Sequence, residues 1–300
     1  MKIQRPGHTE TQLLYSNFLK KHHSILYNKH IEHFFIKWLY TTSGFYDKSV
    51  SLNDIETIIN SDCYNTWIQQ YDNALYNCDH IECCIGNPTF DDLPPEHLEE
   101  YLLKFKSKSL TINKHYITKS NTLWNQYWCL EGKDANNNYK GVFSQHYNLL
   151  VDKNVLVISP FSELVEYQHK NNVNKLFHGF PKFNLITFTT PYTFLNTGPH
   201  NNFFETLNFI YDQISLLNFD IVLLSCGTYA ALLIEKINTL LNKDAIYMGR
   251  GCNYMFGIDP QRDITQFPDW IINIPDRMIP YDFNKIEDGI YWKKQTQKET

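Results

Sequence analysis

Residues 219–258 restrict the fold more than any other part of the chain. They read FDIVLLSCGTYAALLIEKINTLLNKDAIYMGRGCNYMFGI. Ile221 to Leu224 is a short apolar run of the kind that forms a buried strand. It enters a small polar turn, Ser225-Cys226-Gly227-Thr228. Apolar residues at helical spacing follow from about Tyr229 to Leu241. A second strand, Asp244 to Met248, then meets another glycine turn, Gly249-Arg250-Gly251. Strand, turn, helix, strand is the βαβ unit of a parallel sheet. Ligands of such sheets bind just beyond the carboxyl ends of the strands, and both glycine turns fall at that edge.

The same reading extends upstream. Lys153 to Ser159 is a β-branched apolar run that ends in Pro160-Phe161-Ser162-Glu163 and then a helix through about His169. Asn184 to Thr189 is a further strand, and Phe203 to Leu217 a further helix. Between them, residues 190–202 are rich in Pro, Gly and Asn, as expected of a mobile loop over a site. His80 to Ile85 reads as a buried strand and Asp62 to Asn77 as a helix. Thr9 to Tyr40 has the three- and four-residue apolar spacing of one or two amphipathic helices. Gly132 to Lys140 is polar and Asn-rich, a loop. The expected fold is α/β: a Rossmann-like, mostly parallel sheet flanked by helices, with an N-terminal helical extension over residues 1–48.

Bulk properties narrow the function classes. The 300 residues suffice for a large α/β domain. A formal net charge of −5 disfavours nucleic acid as the main partner, since a phosphate backbone needs a basic face. No apolar run reaches membrane-spanning length, and the start of the chain is polar, so a cytoplasmic location is expected. Seven cysteines without a CxxC pair point to reduced thiols rather than a disulfide framework or a zinc ribbon. His22, His23, His30 and His33 lack a cysteine or carboxylate at ligand spacing, and read as surface or packing residues.

No GxGxxG, Walker or GxSxG motif occurs. Ser225 and Cys226 have no His or Asp partner at readable spacing, which disfavours a nucleophile. The turns instead offer backbone N–H groups at strand ends and helix N-termini, the arrangement that holds phosphate. Arg250 and Arg262 could add fixed positive charge against a diphosphate or stand on the surface. Val50 and Leu52 alternate with polar residues as in a short strand, before Asp54 and Glu56. This pair is either a helix cap with a first-turn acid, or an Asp-x-Glu pair presented to a divalent cation.

Several blocks taken in order, VSLNDIETI, DNALYNCDHI, VLVISPFSELVEYQ, FDIVLLSCGTYAALLIEKI, AIYMGRGCNYMFGIDPQR and IEDGIYW, resemble a family of bacterial and large-virus glycosyltransferases of the GT-D type. The resemblance spans Val50 to Trp292. It implies a glycosyltransferase domain over residues 49–292, with a frayed tail at 293–300. It also implies transfer from a nucleotide-sugar donor, a UDP-sugar first, to a glycan or glycoconjugate acceptor, in a host cytoplasm if the chain is viral.

By the same resemblance, Asp54 and Glu56 would hold Mn2+ or Mg2+, and Glu56 or Glu163 would serve as base. Ser159, Pro160, Phe161, Ser225, Gly227, Thr228, Tyr229, Gly249, Arg250, Gly251 and Arg262 would line the donor pocket. The chain departs from the family pattern at Leu52-Asn53, Ser225 and Arg250, where the family carries glycines. Two rival readings are a non-catalytic nucleotide- or glycan-binding protein that kept the fold, and a Rossmann methyltransferase. The second lacks a glycine-rich cofactor loop.

Overall fold

The strands that the sequence marks as apolar runs pair in parallel, and the helices between them cover their faces. These features come from a computed structural model that describes residues 1–83, 97, 100–101, 109–112, 132–133, 139–140, 148–173, 180–249 and 251–258. The chain divides into two compact units. The first comprises residues 1–121, 191–217 and 227–247, and the second residues 122–190, 218–226 and 248–300.

In the first unit four strands pair in parallel: β1 (Lys2–Gln4), β2 (His80–Cys83), β3 (Ser109–Ile112) and β9 (Asp244–Tyr247), the remaining strands being introduced below. β1 lies between β2 and β9, and β3 pairs with β2. The helices of this unit are α1 (His8–His22), α2 (Lys29–Trp38), α3 (Ile55–Ile59), α4 (Asp62–Tyr76), α6 (Phe203–Ser215) and α7 (Tyr229–Leu241). A π-turn, Leu39–Ser43, continues α2. α7 packs on β9 and β1, and α4 and α6 pack on α7.

α4 starts because the Ser61 hydroxyl caps the Tyr64 N–H, and α6 because the Asn202 side chain caps that of Glu205. The aromatic surplus is spent here. Phe45 stacks on Phe203 at 5.2 Å and Phe203 on Tyr229 at 4.4 Å, and Trp67 meets Tyr71 in a tilted contact at 5.1 Å. Phe45, Trp67, Tyr71 and Phe203 are fully buried, so these rings form core rather than sugar-stacking platforms.

The second unit carries β6 (Asn154–Ser159), α5 (Ser162–Asn172), β7 (Asn184–Thr189), β8 (Ile221–Leu224) and α8 (Gly251–Met255). β6 pairs in parallel with β7 over six residues and with β8 over four. All of β8 and residues 155–159 of β6 are buried, as near-continuous apolar runs require. α5 packs on β6 and β7. A small antiparallel pair, β4 (Gly132–Lys133) with β5 (Tyr139–Lys140), also lies in this unit.

Four expectations are corrected. The N-terminal segment is not a purely helical extension: β1 is an internal strand of the first unit's sheet, and no boundary falls near residue 48. Val50–Leu52 forms turns instead of a strand. The Ser49 N–H and hydroxyl bond Asp47 Oδ1, and Val50 N–H bonds Asp47 O, so the backbone curls. The ends of the 132–140 loop pair as a hairpin. Residues 191–202 are tied down: Asp47 N–H bonds Asn196 Oδ1 at 3.0 Å and His200 N–H bonds the Tyr46 hydroxyl at 3.1 Å.

Candidate functional site

The carboxyl end of β1 builds the most unusual chemistry among the described residues. After Gln4 the chain turns through Arg5-Pro6-Gly7 into α1, where Glu10 stands in the first turn. Glu10 is 3% exposed and Arg5 5%. A carboxylate near a helix N-terminus is favoured by the free N–H groups there, but burial opposes its charge. Burial wins: it pushes the Glu10 carboxyl up to about 7, against the opposing pull of its own backbone N–H, the Ser43 hydroxyl and the Arg5 charge. Gly7 makes the pose possible, since a Cβ there would stand 2.2 Å from Glu10 Oε2.

Ser43 links this acid to the predicted donor turn. It ends the π-turn, an irregularity that recurs at functional sites, and its carbonyl accepts the Thr228 N–H at 3.0 Å. Gly227 has φ +57, and a Cβ there would meet the Ser43 carbonyl oxygen at 2.4 Å. Only glycine combines that φ with that approach. The Gly227 carbonyl accepts the Tyr247 hydroxyl at 3.0 Å, at the end of β9. Thr193 donates to the Gly44 carbonyl at 2.5 Å and accepts the Tyr229 hydroxyl at 3.1 Å. Glu10, Arg5, Ser43 and Gly227 thus converge at one sheet edge, inside the first unit.

Thr228 and Tyr229 are structural within this turn, where a donor-pocket lining was expected. Thr228 is fully buried, its N–H is taken by Ser43 and its hydroxyl accepts the Trp67 indole N–H at 3.0 Å. Tyr229 is 2% exposed. Gly227 is the exposed member.

In the second unit, Ser159 is buried and its hydroxyl accepts the Phe161 N–H at 3.1 Å, which shapes the Pro160-Phe161 turn into α5. Ser225 N–H bonds the Ile158 carbonyl at 2.8 Å. Met248 and Gly249 N–H groups both bond the Leu224 carbonyl, and Gly251 N–H bonds Met248. These bonds are made to strand and turn carbonyls of the same unit, so several N–H groups expected to face phosphate are already occupied. Glu163 is exposed in the first turn of α5. Burial pushes the Cys252 thiol up to about 12 and the Cys226 thiol higher still, so neither is a thiolate nucleophile. Arg250 and Arg262 lie outside the described residues.

Asp54 and Glu56 sit on the surface of the first unit with local duties. Asp54 caps α3: it accepts the Thr57 N–H at 3.1 Å and the Thr57 hydroxyl at 2.6 Å, one on each oxygen. These bonds hold its carboxyl below the usual range. Glu56 pairs with Lys29, which holds it low as well, and lies 3.4 Å from His33 Nε2. Asp54 thus serves as a cap and Glu56 as an ion-pair partner, and no third donor among the described residues gathers with them, so this arrangement does not favour Mn2+ or Mg2+ there.

The sequence reading passed over Glu10 and Arg5. Their signal was an apolar residue, Ile3, before a Pro-Gly turn and an acid at the third helical position, which marks a strand-to-helix junction at a sheet edge.

No protein-family model matches the sequence, and no curated protein matches it. One solved structure is similar to the chain. It is that of the highly conserved domain of unknown function 1792, described as having a distinct glycosyltransferase fold. The identity is 11%, the match covers 86% of this chain and 80% of that one, and the TM-score is 0.34. Among the described residues no helix is long and apolar enough to cross a membrane.

Proposed function

We propose that the chain is a glycosyltransferase that moves a sugar from a nucleotide-sugar donor to a glycan or glycoconjugate acceptor, with Glu10 as general base. The observation that carries the reading is the buried Glu10 carboxyl at the carboxyl edge of the sheet, tuned to about 7. A base works best when its pKa lies near the operating pH. Glu56 and Glu163, the bases first expected, are exposed surface acids.

In the proposed step Glu10 takes the acceptor hydroxyl proton. The acceptor oxygen bonds to the anomeric carbon as the bond to the phosphate oxygen breaks, and nucleoside diphosphate leaves. Arg5 supplies fixed positive charge beside the leaving group. The exposed Gly227 gives a phosphate close access to backbone. Glu10 is covered in this structure, so the reading requires a movement that admits the acceptor. Asp54 and Glu56 take no part in this step, being engaged with Thr57 and Lys29.

One rival keeps a specific observation in its favour. The N–H groups of Ser225, Thr228, Met248, Gly249 and Gly251 are bonded within the chain, which takes them away from a leaving diphosphate and suits a binding protein without turnover. A panel of nucleotide sugars, scored for thermal stabilisation and for release of nucleoside diphosphate, separates the two. The transferase reading expects both signals, with turnover falling about a hundredfold or more in Glu10→Gln while binding persists. Stabilisation without turnover supports the binding protein. Turnover unchanged in Glu10→Gln removes Glu10 as base.

A further inference from the structure

We propose that His23, His97 and Glu100 form a binding site for one borderline divalent cation of the Zn2+ class. The site lies apart from the one described above and does not depend on its reading. Nε2 of His23 lies 2.9 Å from Glu100 Oε2, and Nδ1 of His97 lies 3.0 Å from the same oxygen. One ligand atom from each residue falls within 4.8 Å of the other two. Two imidazole nitrogens and one carboxylate oxygen are a donor set suited to Zn2+, leaving a fourth position for water. Mg2+ and Ca2+ prefer all-oxygen sets, so the nitrogens select against them.

The cluster joins segments far apart in sequence, 77 residues separating His23 from Glu100. His23 ends α1 as its C-cap. On the apolar side, the Phe18 ring makes tilted contacts with His23 at 5.7 Å and with Tyr101 at 5.5 Å, and Tyr101 is 1% exposed. The donors therefore stand on a packed aromatic floor. The His23 and His97 rings stack at 3.8 Å and 24°, and both face the one Glu100 oxygen. In-plane lone pairs of two stacked rings do not converge, so capture of the ion turns one ring about its Cβ–Cγ bond. Both rings are partly exposed, at 24% and 30%, which leaves room for that rotation. The bound ion would pin His97 and Glu100 to the end of α1.

The test titrates the chelator-stripped full chain with Zn2+ by calorimetry and with Co2+ by visible absorption. The expected result is one ion per chain, with a Kd of about 10 μM or tighter, four-coordinate Co2+ bands and a raised melting temperature. His97→Gln and Glu100→Gln should each weaken binding about tenfold or more, with apo melting curves close to that of the unsubstituted chain. Absence of binding below about 100 μM, or binding that both variants leave unchanged, would overturn the site. If one variant fails to fold, the other decides.

Discussion

Glu10 carries its chemistry because its own backbone N–H, Ser43 and Arg5 counter, without defeating, the effect of burial. Its carboxyl is raised from 4.5 to about 7 in the folded chain. The folded state therefore holds this proton more tightly than the unfolded state. The resulting stabilisation is fully present below about pH 4.5 and is lost as pH rises through about 7. A shift of this size corresponds to roughly 3 kcal/mol. Urea unfolding at a series of pH values should show that loss, and Glu10→Gln should flatten the curve and stay more stable at pH 8. Gly227 makes a second residue-scale prediction. With φ +57 and the Ser43 oxygen 2.4 Å from a would-be Cβ, Gly227→Ala should cost about 2–3 kcal/mol in the same unfolding measurement.

At the scale of elements, α4 and α7 are fastened by one buried bond, Trp67 Nε1 to Thr228 Oγ1. Trp67→Phe removes the donor, strands the hydroxyl and leaves a void, for about 2–4 kcal/mol by equilibrium unfolding. Asp54→Ala should shift the α3 region slightly in hydrogen exchange and leave nucleotide-sugar turnover unchanged, because Asp54 works as a cap.

The elements also show what the sequence could reveal. β8, α7 and β7 were legible to the residue, since long apolar runs and helical periodicity depend on local pattern alone. β1 was not: three residues, Lys2–Gln4, are too few to show alternation, and β1 exists because β2 and β9 lie on either side of it. The acidic pair misled for the opposite reason. Asp-x-Glu spacing is legible, but whether the carboxylates face a cation or Thr57 and Lys29 depends on turns that no spacing encodes. Glu10 was missed because the elements that pack on α1, namely α2, α4 and the Leu39–Ser43 turn, come later in the chain and their packing is not written in local spacing. The His23–His97–Glu100 cluster was missed because its carboxylate lies 77 residues from His23.

For the whole molecule, the α/β class with parallel strands under helices follows from the order of apolar runs and turns, and the strand pairings bear it out within each unit. The central claim is that Glu10 is a base whose pKa is set by the fold. The pH dependence of kcat/KM with an active nucleotide sugar tests it most directly. The expected rate climbs with one apparent pKa near 7 and then levels, and that limb vanishes in Glu10→Gln together with most of the turnover. A flat profile between about pH 5.5 and 8.5, or the same limb in Glu10→Gln, would contradict it.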